Sequence, residues 1–507
     1  MSPSNIKNQR ASNRSIFLRG PKNRATDLTI IIMSIMQPVI VFVLLITTPL
    51  IFAQEPVGSS YSKAKSEDGY FISWKEHIID DPTIAGFNLN GSDGLVMGDI
   101  DGDGFEDIVS VHEYDSEYDS ASYDPDFVPV IKGHVRIAFG SAHPDAWTNI
   151  TLAEGTDTPA PEDAAIADVN RDGFPDVIVA AEQSHLLYLQ NPGKNIRSEN
   201  WPRLILPMTK GRGSYIRVFF GDFNNDGIPE VVAANKGAQA PGPEDFTKKT
   251  AVSVYQVKGN PLHGSSWHEI ELGCYSVPQN SEPVDLDGDG DLDILVGSRG
   301  EDRLVFFENQ SKSEIRFKEH AIDIDKTNMG GFNLSYADLN NDGRLDIMGP
   351  TSEGMGWIAQ PKNPDATWSS YYIGTFKPDS TLGLEIADID GDGDTDIISG
   401  SYSRGSRTSD IDTTDVNGAL GRIGWYENPG DATASWTRHD ISRRKRGMFD
   451  KFIARDIDKD GDIDFVGTRG NSAPYDGVFW LEQVRTKTAS PSFVPARSGE
   501  SPEMPLP

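Results

Sequence analysis

Asp99-Ile-Asp101-Gly-Asp103-Gly104-Phe-Glu-Asp107 is the first of seven copies of one acidic nonapeptide in a chain of 507 residues. Carboxylates or Asn amides stand at positions 1, 3, 5 and 9 around a Gly at position 6. The first copy supplies Asp99, Asp101, Asp103 and Asp107, and the second Asp168, Asn170, Asp172 and Asp176. Copies three and four supply Asp222, Asn224, Asp226 and Glu230, then Asp285, Asp287, Asp289 and Asp293. The last three supply Asp338, Asn340, Asp342 and Asp346; Asp388, Asp390, Asp392 and Asp396; and Asp456, Asp458, Asp460 and Asp464. Oxygen donors at this spacing wrap a short loop around Ca²⁺, so the copies predict up to seven bound calcium ions. One such turn would read as a solvated loop; seven in register do not.

Successive first aspartates lie 69, 54, 63, 53, 50 and 68 residues apart, a period suited to propeller blades rather than to solenoid coils. An EF-hand needs Glu at position 12, where the first four copies carry Ser110, Val179, Ala233 and Val296. Each loop is entered by a segment such as Leu95-Val-Met-Gly and left by an apolar, β-branched run such as Asp176-Val-Ile-Val-Ala. A third element follows, as in Leu304-Val-Phe-Phe-Glu-Asn, and then a fourth that opens on an aromatic, as in Trp267-His-Glu-Ile. Four strands per repeat and seven repeats predict an all-β fold, a seven-bladed β-propeller of four-stranded blades. The last repeat lacks its own aromatic strand, whereas Trp74-Lys-Glu-His-Ile-Ile precedes the first loop without partners. That N-terminal strand near Trp74 is expected to complete blade seven and close the ring, which removes free sheet edges.

On these loops residues 70 to 483 resemble the FG-GAP or VCBS repeat family, the seven-bladed calcium propellers that include the integrin α-subunit heads. The recurring Trp-x-x-His and Glu-Asn-Pro-Gly elements look more like bacterial secreted members and like the propeller part of aldos-2-ulose dehydratase. The resemblance implies that the acidic hairpins share one face and that ligands bind on the other.

Composition fits export. Residues 28 to 53 are uncharged and largely apolar, follow six basic residues and end in Phe-Ala-Gln, so residues 1 to 53 read as a signal peptide or an uncleaved signal anchor. Localisation is then secreted, periplasmic or cell-surface, with membrane association only if the segment stays attached. Dropping residues 1 to 53 removes six of 46 basic and one of 77 acidic residues, so the remainder carries −36, or about −22 with all loops filled. Such acidity excludes nucleic acid as a partner. With Cys274 alone no intrachain disulfide forms, which leaves metal as the staple.

Six residues beyond each position 9 the chain reaches the second face, at Glu113, Glu182, Lys236, Arg299, Ser352, Tyr402 and Gly470. His112, Arg404 and Arg469 stand beside that ring. Unlike the loops it does not repeat, which is the pattern of a recognition surface, so His112, Glu113, Glu182, Lys236, Arg299, Tyr402, Arg404 and Arg469 are the candidate ligand-binding residues. Two functions fit. One is a binding module for a glycan or protein ligand, with Tyr114, Tyr118, Tyr123 and Tyr402 available for stacking. The other is a lyase or dehydratase on an anionic or keto sugar, in which His112 or Tyr402 takes a proton beside a group neutralised by Arg299, Arg404 or Arg469. The run Arg443-Arg-Lys-Arg446, expected in an exposed connection, would favour an anionic ligand. His77, His320 and His439 repeat in the fourth strand and read as packing residues; His112, His134 and His185 fall outside that pattern. Residues 54 to 69 read as a linker and 484 to 507, rich in Pro, Ser and Thr, as a disordered tail.

Overall fold

The computed structural model describes residues 54–114, 131–198, 200–403, 415–497, 499 and 502–507. The expected signal segment lies outside them, as do Arg404, Tyr118 and Tyr123. Seven sheets form a ring, and in blades one to six the four antiparallel strands follow in chain order from the axis outward. Blade one is Ser92–Gly98, Asp107–His112, His134–Phe139 and Thr148–Glu154. Blades two to six repeat the plan from Pro161–Ala167, Tyr215–Gly221, Pro278–Val284, Ser335–Ala337 and Ser380–Ala387. Blade seven is Phe452–Arg455, Asp464–Arg469 and Gly477–Thr486, completed by Phe71–Asp80 from the other end of the chain. The closing strand pairs antiparallel over its whole length, Phe71 opposite Thr486 and His77 opposite Trp480.

The apolar runs that leave the acidic loops become second strands. In blades one to four all six residues are buried, because a neighbouring blade covers each face of the sheet. The core is correspondingly divided into layers between blades. One layer joins Val466, Val478 and Trp480 of blade seven to Leu95, Ile108 and Ala138 of blade one, so the ring has no gap at its seam. The recurring aromatic of the fourth strand packs in these layers and holds the preceding turn, as the Trp201 indole N–H donates to Ile196 O at 3.0 Å and that of Trp267 to Pro261 O at 2.8 Å. His77, His320 and His439 stack on Trp480, Phe306 and Trp425 and bond Glu482, Glu308 and Glu427, as packing residues do.

The axis is plugged rather than open. Arg217, from the innermost strand of blade three, is 2% exposed and reaches Asp450 at the entrance of blade seven at 2.5 Å and Asn333 at that of blade five at 3.0 Å. Asn333 in turn donates to Asp450 Oδ1 at 2.9 Å, so three blades are tied across the centre.

The described residues of 484 to 507 do not form the disordered tail expected from their composition. The strand Gly477–Thr486 runs through the expected boundary, Phe493–Val494 adds a fifth strand parallel to Phe71–Asp80, and Glu503 bridges to Arg444. Residues of the expected linker join them, with Tyr61 paired to Pro491 and the Val57 N–H donating to Met504 O at 3.0 Å. The sequence pattern missed this because the strap is held by a few spaced anchors: buried Phe493, and the Glu503 carboxylate, which accepts from the backbone N–H of both Gly58 and Arg443 at 3.0 Å.

Candidate functional site: acidic loops and the opposite mouth

Each nonapeptide is a tight loop between the first and second strands of its blade. Gly at position 6 is left-handed in all seven, with φ from 79° to 97°. Position 4 is left-handed too, and there the sequence tolerates Arg171, Asn225, Asn341 and Lys459 beside three glycines. These turns aim backbone N–H groups inward. In the first loop Asp99 Oδ1 accepts from Gly102 at 2.8 Å and Asp103 at 3.1 Å, and its Oδ2 from Gly104 at 3.0 Å. The position-9 acid opens the second strand and is buried in every blade. Asp107 accepts from the Ile100 N–H at 2.9 Å with one oxygen and from Gly140 at 3.0 Å with the other.

Neighbouring loops are stapled to each other. Asn191, at the end of the third strand of blade two, donates its backbone N–H to Asp176 and its side-chain amide to Ile100 O in the first loop at 3.1 Å. Asn309, Gln360 and Gln483 repeat the arrangement toward Phe223, Leu286 and Ile389 at 2.9, 2.8 and 3.0 Å. The amide residue at or near the end of these third strands, Asn or Gln, thus owes its place to loop coupling in four blades.

Oxygens of Asp99, Asp101 and Asp107 lie within 4.8 Å of one another, as do those of Asp285, Asp287 and Asp289, of Asp388, Asp390 and Asp396, and of Asp456, Asp458 and Asp460. Donors 2.3–2.6 Å from one Ca²⁺ can be at most about 5 Å apart, so these sets fit the ion. The donors are oxygen alone, which suits a hard cation. Burial pushes the position-9 acids up, Asp107, Asp176 and Asp346 to about 6, Glu230, Asp293 and Asp464 to about 7 and Asp396 to about 8. A second cause in several of them is the charge of the other loop acids, the repulsion that a divalent ion would relieve.

At the opposite end of the second strands the predicted ring divides. Glu113, Glu182 and Lys236 converge: Lys236 Nζ donates to Glu182, and both are buried. Around them sequence reading missed Asp93 and Glu162, charged residues in innermost strands, where polar side chains line the plugged axis. Oxygens of Asp93, Glu113 and Glu162 lie within 4.8 Å of one another, all three buried. Burial first, then the charges of Asp93 and Glu182, drive Glu162 well above the usual carboxylate range, and it shares a hydrogen bond with Glu113.

The other predicted residues stand apart. His112 is fully buried, its Nδ1 2.7 Å from Ser92 Oγ and its Nε2 3.1 Å from Ser110 Oγ, with its pKa well below the ordinary value through burial. Tyr402 is 6% exposed, and Arg469 turns outward to Ser472 and the Tyr475 ring. Arg299, at the end of the second strand of blade four, lies 5.6 Å from the ring of Phe246 in blade three. His134 pairs with His112 across strands, while His185 bonds the Asp157 carbonyl at 2.8 Å. Arg443 and Arg444 are not an exposed cationic patch: they end the last strand of blade six, fully buried, on Asp379 at 2.8 Å and on Glu76 at 2.6 Å.

The Glu162 carboxyl should give the mouth a measurable pH signature. A raised folded-state pKa stabilises below about pH 4.5, the unfolded value, and this contribution is lost toward the raised value at about 1.4 kcal/mol per pH unit. Glu162→Gln, which keeps the shape without the titration, should unfold at higher temperature than the wild type at pH 8 and match it near pH 4.5. Equal differences at both pH values would contradict the assignment.

Residues 168–233 and 285–349 match the family model of the FG-GAP-like repeat. Among solved structures the chain is similar to an Agrocybe aegerita lectin described for specific recognition of non-reducing terminal N-acetylglucosamine, at 14% identity over 82% of this chain and 96% of that one, TM-score 0.43. It is also similar to BBS1N in complex with ARL6DN, at 13% identity over 84% of this chain and 100% of the other, TM-score 0.41. No curated protein sequence matches the chain.

Proposed function

We propose that this FG-GAP-like repeat propeller is an exported or envelope-associated, calcium-loaded protein that binds a glycan or protein ligand on the face opposite its acidic loops. The observation that carries the reading is the contrast between the two ends of the second strands. At one end every blade repeats the same loop, whereas at the other the unlike residues Glu113, Glu182 and Lys236 gather with Asp93 and Glu162 at the mouth of the axis. Identical sites suit structure, and unlike residues brought together from blades one, two and three suit selection of one ligand. Calcium is supported by the oxygen-only donor sets, and export by the acidic composition and the apolar segment before residue 54.

Among the described residues, which exclude Arg404, no geometry favours the lyase or dehydratase alternative. It needs a proton acceptor open to substrate, and His112 is enclosed between two serines while Tyr402 is buried. The test is a screen of the calcium-loaded full chain against immobilised neutral and acidic polysaccharides and candidate protein ligands, read for both retention and new ultraviolet absorbance from unsaturated uronate. Retention without absorbance is expected. Absorbance that grows with time would establish a lyase instead, and the absence of any retained ligand would overturn the reading.

A further inference from the structure

On the same face, at the outer rim of blade one, a cleft of about 660 Å³ opens between the connection that precedes Ser92–Gly98 and the tops of the two outer strands. Its wall is aromatic. Phe87 and His134 have ring centroids 4.7 Å apart, and Tyr114 lies 6.1 Å from His134. The buried Arg136 guanidinium, fixed on Asp80 and Thr151, sits 5.3 Å from the Phe87 centroid and supports it from beneath. Polar groups complete the lining: Asn88, Lys132 and Glu154.

Three features set this cleft apart from ordinary surface. Phe87, in the cleft wall, is 38% exposed, a large apolar ring left open to solvent inside a concave lining. Tyr114 holds φ at +64°, a left-handed backbone that costs a bulky residue energy and is retained where its ring must point one way. In a chain of net charge −31 the described lining is balanced, with one cation, Lys132, one anion, Glu154, and an imidazole kept neutral by burial.

We infer that this cleft binds a neutral sugar residue of a glycan, with the C–H face of a pyranose against the Phe87, His134 and Tyr114 wall and its hydroxyls on Asn88, Lys132 and Glu154. An aromatic wall with a few convergent polar groups is suited to a ring that is apolar on its faces and polar at its edge. With one anion, Glu154, for its one cation, Lys132, which already lies 4.8 Å over the Tyr114 ring, the described lining offers no cationic excess to sulfated or uronic sugars. The inference rests on the proposed ligand-binding face and names the class of ligand that face takes.

The test is calorimetric titration of the calcium-loaded full chain with neutral tetrasaccharides of glucose, galactose, mannose and N-acetylglucosamine, and with a tetrasaccharide of galacturonate. At least one neutral tetrasaccharide should bind, the galacturonate one should not, and Phe87→Ala should weaken binding at least tenfold. Tyr372→Ala, at an exposed aromatic of blade five, should leave binding unchanged. Because Phe87 is partly exposed, its substitution should leave the thermal midpoint near that of the wild type, which separates lost recognition from lost folding. Binding that survives Phe87→Ala but is lost in Glu182→Ala would move the ligand to the central mouth, overturning the cleft while keeping the function. Preference for galacturonate, or no binding by any neutral tetrasaccharide, would overturn the inference even where a protein ligand is found.

Discussion

Calcium-free protein, prepared by dialysis against chelator, unfolds more than about 20 °C below the calcium-loaded form at pH 7.5. A ligand at a hundred times its dissociation constant stabilises the folded state by about 2.7 kcal/mol per site. Several such loops together match the about 5–15 kcal/mol that holds a typical domain folded. The loops also do not fail singly. Asn191, Asn309, Gln360 and Gln483 join loop one to two, three to four, four to five and six to seven, so slackening in one is passed to the loops stapled to it. The loss of stability with rising pH should be confined to the metal-free form. Without metal, the position-9 acids carry pKa values of about 6 to 8, raised by burial, so their contribution is present at pH 5 and lost as pH rises through that window. With calcium, which binds the ionised form, the midpoint should not fall between pH 5 and 8. Differential scanning calorimetry of both forms at pH 5, 6, 7 and 8 checks this; superimposable midpoints would contradict it.

Removal of residues 488 to 507 should destabilise the propeller by about 3–5 kcal/mol or more. The strap covers buried charge. Arg444 and Glu76 form an ion pair with both side chains 1% exposed, and the Arg444 guanidinium lies 4.7 Å from the Phe493 centroid. Glu503 accepts from Ser442 at 2.5 Å and from the Arg443 N–H at 3.0 Å, and the Ala496 N–H donates to Glu76 at 3.2 Å. Truncation keeps the Arg444–Glu76 pair but removes the Glu503 carboxylate 3.7 Å from Arg444, the Ala496 N–H on Glu76 and the Phe493 ring that covers them, and loss of one partner from a buried charge cluster costs about 3–5 kcal/mol. Phe493 also leaves the core layer between blades six and seven. Urea unfolding of the truncated chain, with Glu503→Gln as a milder variant, measures the loss. A truncated chain as stable as the full one would show the strap to be ornamental.

The fold was legible because its signals repeat. Seven Asp-rich loops gave the number of blades, the β-branched runs gave the second strands, and Trp74 without partners gave the closure that pairs Phe71–Asp80 with Gly477–Thr486. What does not repeat was read less well. Arg443 and Arg444 look solvated as a run of charge, yet they alternate into buried pairs with Asp379 and Glu76, partners 64 and 368 residues away. Pro, Ser and Thr between 488 and 507 mask two anchors, Phe493 and Glu503. At the mouth, Glu113, Glu182 and Lys236 were found by counting along the second strand, whereas Asp93 and Glu162 lie in first strands whose polar residues match no motif. A charged residue inside an innermost strand was the available signal, since such a side chain must find partners across the axis, as Arg217 does with Asp450.

The most direct test of a propeller whose acidic loops are metal sites is the calcium content of the full chain, measured by equilibrium dialysis at 1 mM calcium with elemental analysis. The loops predict about seven ions per chain, falling by one in each variant that replaces a position-1 residue, as in Asp285→Ala. Content of none or one, unchanged by such a variant, would contradict the account.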